Sequence, residues 1–131
     1  MAPRELGPVV TAFLARHVRN LDELQLLMSI IQSGDRWWDV AAATREVGIT
    51  AADARAALDR FAAQNLLDLR LGEDLRYQFC PGTEDLRAAA RETLDAYRRN
   101  PIAVARGLAP PAGRGITDFA DAFRIRKDED G

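Results

Sequence analysis

Few residues in this chain are of a type that does chemistry. The 131-residue sequence has one histidine, His17, and one cysteine, Cys80. A metal site needs several ligands, and a nucleophilic thiol needs a base beside it. A lone His and a lone Cys far apart in sequence fit neither pattern. Acidic neighbours occur at Asp22–Glu23, Glu73–Asp74 and Glu84–Asp85. Adjacent residues on a helix do not face each other, so none of these reads as an acid–base pair. The sequence has no glycine-rich phosphate loop, nucleophile elbow or Cys–His spacing. The expectation is a protein that is not an enzyme, with no catalytic residue, no metal and no cofactor. Cys80 is expected to be a buried thiol at the end of a strand. A single cysteine forms no internal disulfide and suits a reducing, cytoplasmic setting.

The remaining chemistry is that of arginine. The 18 basic residues are balanced by 20 acidic ones, for a net charge of −2. Lys127 is the only lysine; the other basic residues are arginines, and alanine is abundant. That usage has the character of a GC-rich bacterial genome. A protein that wraps nucleic acid non-specifically is usually basic overall, so nucleic-acid binding here needs a local patch. No run of about 18 apolar residues is present, so no membrane span is expected. The opening "MAPRELGPVVTAFLARHV" is a poor secretion signal.

Hydrophobic spacing supplies the elements that would position these groups. Val9, Val10, Phe13, Leu14 and Val18 recur at helical spacing over 8–19. Asn20 with Glu23 three residues later predicts a capping box. The helix after it is apolar almost all round and ends at Gly34. Asp39 opens a short helix over 40–47, closed by Gly48. Thr50 opens another over about 51–64, with Ala54, Ala57, Leu58 and Phe61 inward. The period then changes to two. Leu67, Leu69 and Leu71 alternate with Asp68 and Arg70; then Leu75, Tyr77 and Phe79 alternate with Arg76 and Gln78. This predicts a two-stranded hairpin with "GED" at its turn. Thr83 caps a helix over 84–99, and Pro101 opens a short one. "APPAGRG" at 109–115 reads as a linker. Ile116, Phe119 and Phe123 form an apolar stripe on a last short helix, followed by a charged tail. The chain thus divides into a domain at 1–108 and an extension at 109–131.

Residues 40–79, "VAAATREVGITAADARAALDRFAAQNLLDLRLGEDLRYQF", carry a resemblance. They look like the corner, recognition helix and wing of bacterial winged helix-turn-helix regulators of the MarR-like or ArsR-like kind. Gly48 permits the turn, Thr50 caps the second helix, and Ala54 is small where two helices cross. Thr44 stands where the pattern wants Ala. The fold implied is mainly α with a small β-hairpin, a winged helix-turn-helix with added N- and C-terminal helices.

The resemblance implies a dimeric, DNA-binding transcriptional regulator. Its recognition helix would enter the major groove by its N-terminal half. There Thr50 and Arg55 would read bases, and Ala51 would touch a thymine methyl or allow close approach. Arg45, Arg70 and Arg76 would hold phosphates. Against this stand Asp53, Asp59, Glu73 and Asp74. Asp53 suits the first turn of a helix, and Asp59 can pair with Arg55 four residues before it. The alternative reading is a winged-helix module that binds protein and not DNA. Trp37 and Trp38 are expected to seal the joint between the second helix and the motif, one of them partly exposed. Ile116, Phe119 and Phe123 are expected to form a homodimer interface.

Overall fold

A computed structural model describes residues 6–108. Six helices and three short strands follow one another: α1 (Gly7–His17), α2 (Leu21–Gln32), β1 (Trp37–Trp38), α3 (Val40–Val47), α4 (Ala51–Ala63), β2 (Leu67–Leu71), β3 (Leu75–Phe79), α5 (Glu84–Arg99) and α6 (Pro101–Arg106). The last segment, with Ile116, Phe119 and Phe123, lies outside the described residues.

Local chemistry accounts for most of the boundaries. Asn20, Asp39, Thr50 and Thr83 each accept a backbone N–H from the third residue on, opening α2, α3, α4 and α5. Gly48 closes α3 at φ +79° and Asn65 follows α4 at φ +67°. Both hold the left-handed conformation that ends a helix. Pro101 fits the first turn of α6, where its missing N–H is not needed.

The expected capping box at α2 closes only on one side. Asn20 Oδ1 accepts the Glu23 N–H at 2.9 Å. The Glu23 carboxylate reaches past Asn20 to the Arg19 N–H at 2.8 Å, drawn there by the Arg19 guanidinium at 2.9 Å and by Arg60. The first helix stops at His17, short of the expected 19, because the chain turns extended at Val18.

The core is one continuous cluster. Leu24, Leu26, Leu27 and Ile30 of α2 are buried on several sides, as an all-round apolar helix requires. Ala54, Ala57, Leu58 and Phe61 of α4 and Ala90 and Leu94 of α5 close around it. Trp38 is buried in the same cluster and Trp37 is half-buried beside it.

The sheet has three strands where the sequence predicts two. Its order is β1-β3-β2, all antiparallel. The Trp pair supplies the extra strand, with Trp37 opposite Gln78 and Trp38 opposite Tyr77. Leu67, Leu69 and Leu71 share one face as expected, but only Leu67 is buried. Leu69 is 50% and Leu71 82% exposed, because the hairpin runs out beyond the core. Cys80 is exposed, not buried. It follows the inward-facing Phe79 by one residue, and strand alternation turns it outward.

A charged network joins the ends of three helices. Glu23, only 5% exposed, accepts from Arg19 and Arg60. Arg60 also donates to the His17 carbonyl at 2.8 Å. The His17 ring is buried, with Nδ1 2.8 Å from Gln64 Oε1. Burial pushes its pKa below the ordinary 6.5; the Gln64 contact opposes this, and the charges of Arg16 and Arg60 add to it.

Candidate nucleic-acid interface

The corner from α3 to α4 fixes which side of α4 faces outward. Ala54, Leu58 and Phe61 are fully buried. Helical geometry then places Thr50, Ala51, Ala52, Asp53, Arg55, Ala56 and Asp59 in solvent. The three alanines make this surface shallow, and Arg55 is its longest side chain.

Arg55 and Asp59 form the expected pair. Arg55 Nε donates to Asp59 Oδ2 at 3.0 Å. The pairing does not stop there. The Tyr77 hydroxyl, from β3, donates to Asp59 Oδ1 at 2.5 Å. Burial and then the adjacent Asp59 carboxylate push the Tyr77 phenol up to about 12. The phenol is therefore a permanent donor. Sequence places Tyr77 on the inward row of the hairpin, but its hydroxyl partner lies on another element.

Thr50 Oγ1 accepts the Asp53 N–H at 3.1 Å. As the cap of α4, Thr50 spends one lone pair on the helix, and its hydroxyl hydrogen and second lone pair are left for a ligand. Ala51 is exposed in the first turn, where the notion of close approach requires it. Arg45 is exposed on α3 and has no ion-pair partner among the described residues.

The hairpin brings Arg70 and Arg76 together directly across β2 and β3. Each has a neighbour that shapes its direction. The Arg70 guanidinium lies 4.4 Å over the Trp37 ring, a cation–π contact. Arg76 is 3.9 Å from the Asp74 carboxylate. Arg36 lies 4.0 Å over Trp38, whose indole N–H is satisfied by Ser33 at 3.0 Å. The two tryptophans therefore do separate work. Trp38 seals the core; Trp37 forms part of the outer sheet face with Gln78, Asp68, Arg70 and Arg76. The platform under Arg70 is not legible in sequence, because Trp37 and Arg70 meet only through the sheet.

The exposed charge around the face does not favour an anion. Arg36, Arg45, Arg55, Arg70 and Arg76 are exposed alongside Asp35, Glu46, Asp53, Asp59, Asp68, Glu73 and Asp74. Among the described residues, no group of three or more His, Cys, Asp or Glu could hold a metal ion. No helix among them is long and apolar enough to cross a membrane.

Several solved chains resemble this arrangement, two of them as follows. One is from a study of how 6-hydroxynicotinic acid regulates DNA binding by Bordetella bronchiseptica BpsR. It is 16% identical, covers 98% of this chain and 87% of that one, and has a TM-score of 0.51. The other is RV1404 from Mycobacterium tuberculosis. It is 15% identical, covers 92% of this chain and 82% of that one, and has a TM-score of 0.50. No protein-family model and no curated relative matches the sequence. At these identities the likeness establishes the fold. The described residues form a mostly helical protein with a small three-stranded antiparallel sheet, consistent with winged-helix folds.

Proposed function

We propose that the protein is a DNA-binding transcriptional regulator that acts as a dimer, bacterial and cytoplasmic in setting, with no catalytic activity of its own. The observation that carries this reading is the outer face of α4. It is exposed, flattened by Ala51, Ala52 and Ala56, and led by one guanidinium, Arg55. A shallow helix face with one long donor suits the floor of a major groove. The likeness to BpsR, a protein whose DNA binding is regulated by 6-hydroxynicotinic acid, supports the same reading.

In this reading α1, α5 and α6 are the additions to a winged-helix unit. Arg55 reads a base, with Thr50 and Ala51 beside it at the helix start. Arg45, Arg70 and Arg76 contact phosphates. The Ile116, Phe119 and Phe123 stripe, beyond the described residues, supplies the dimer contact. Deleting residues 109–131 and measuring mass in solution tests that last point, and an unchanged dimer would remove it.

A second reading has its own support. Leu69 and Leu71 are exposed on the hairpin, and the mixed charge of the face offers little to a polyanion. A winged-helix module that docks on protein would use that surface. Selection from a randomised double-stranded DNA pool separates the two. Enrichment of one motif supports the regulator. Failure to bind any DNA at low salt leaves the docking module.

A further inference from the structure

The Arg55–Asp59 pair would, by itself, be weak and loosely oriented. Both side chains are about half exposed, at 57% and 49%. An exposed pair of this spacing contributes little and does not hold a geometry. Here a third group alters the situation. Tyr77 is 1% exposed, at the middle of the sheet, with Trp38 opposite it on one side and Leu69 on the other. Its hydroxyl grips Asp59 Oδ1, while Arg55 Nε grips Oδ2. The carboxylate is thus clamped at both oxygens, from two elements.

The choice of nitrogen matters. A guanidinium has five N–H donors in a rigid plane. Asp59 takes the one on Nε, leaving the outer edge, Nη1 and Nη2, to donate side by side. Guanine presents two acceptors side by side in the major groove, O6 and N7. Ala52 stands three residues before Arg55 and Ala56 one after it, both exposed, and their short side chains let the helix approach closely.

We infer that Tyr77 and Asp59 are positioning residues that set Arg55 edge-on for two-bond reading of one guanine, coupling the wing to the recognition helix. This inference rests on the DNA-binding reading and adds to it the base that is read and the groups that orient its reader. Asp59, which looks like a repulsive charge on a DNA-facing helix, becomes part of the reader.

The test uses the full chain and the motif it enriches from a randomised duplex pool. Two probes are compared, the enriched duplex and the same duplex with 7-deazaguanine at the invariant guanine, which removes only the N7 acceptor. The wild-type protein should prefer the guanine probe on the order of tenfold. Tyr77→Phe should cut that preference to about threefold or less, leaving affinity for the 7-deaza probe nearly unchanged; Asp59→Asn should cut the preference likewise while strengthening binding to both probes, because a negative charge is lost. Without DNA, the Arg55 Nε–H resonance should shift and exchange faster in Tyr77→Phe. A purely structural role for Tyr77 predicts equal loss on both probes, which would overturn the inference. So would an unchanged preference in both variants. If the wild-type protein enriches no motif, the DNA-binding reading fails, and this one with it; an enriched motif with an unaltered preference overturns this one alone.

Discussion

Replacing Glu23 with Gln keeps the shape of the side chain and removes its charge. The Glu23 side chain is 6% exposed and is bound by the Arg19 N–H, the Arg19 guanidinium and the Arg60 guanidinium. Removing one partner of a fully buried ion pair costs about 3–5 kcal/mol. That range needs a discount, because the Arg19 side chain is 62% exposed and the Arg60 side chain 21%, and solvent screens what they contribute. About 2–3 kcal/mol remains for Glu23→Gln. Arg19→Ala should cost less, roughly 0.5–1 kcal/mol, since that arm faces solvent. For a domain of this size, a loss of 2 kcal/mol lowers Tm by about 8 °C. Urea unfolding followed by circular dichroism measures both quantities. The double variant Glu23→Leu with Arg60→Leu should recover part of the loss, because no charge is left stranded. A Glu23→Gln protein within 0.5 kcal/mol of wild type, by about the usual scatter of surface substitutions, would refute the claim that this network ties α1, α2 and α4 together.

Other substitutions test the corner and the buried imidazole. Gly48→Ala places a Cβ in open space, so its cost is backbone strain alone, about 1–2 kcal/mol at φ +79°. Gly48→Asn should cost less, and the same urea unfolding ranks the two. Thr50→Ala removes the cap of α4 and should cost about 1 kcal/mol, with Thr50→Ser restoring most of it. His17 has a folded pKa below its ordinary 6.5, so the unfolded chain binds the proton more readily. Stability is therefore full above the unfolded value and falls as pH drops through 6.5 toward the folded one. A His17→Gln variant should lose that slope, and unfolding measured across this window detects it.

The fold was most legible where a residue acts on its own neighbours. Asp39, Thr50, Gly48 and Asn65 act on backbone groups within a few positions, and each stands where the local pattern places it. The inward face of α4 was legible because helical periodicity determines it. What sequence missed depends on groups brought together from afar. Trp37–Trp38 becomes a strand only because Tyr77 and Gln78 offer an edge. Glu23 abandons its capping box because Arg60, 37 residues away, arrives beside it. Alternation puts Leu69 and Leu71 on one face but carries no information on where the sheet leaves the core. In the candidate site, the Arg55–Asp59 pair could be read from its spacing. The Tyr77 clamp could not, because a hydroxyl's partner across 18 residues is a property of the folded chain.

The central claim is that the α4 face and the hairpin bind duplex DNA. Fluorescence polarisation with the enriched duplex, repeated across a salt series, tests it most directly. Arg45, Arg70 and Arg76 would neutralise three phosphates per protomer, six per dimer, giving a slope of log Kobs against log salt of about −5. Arg70→Ala should make that slope shallower by about 2 per dimer, while Arg55→Ala should weaken binding with little change in slope. An absence of binding at low salt, or affinity and slope indifferent to both substitutions, would contradict the account.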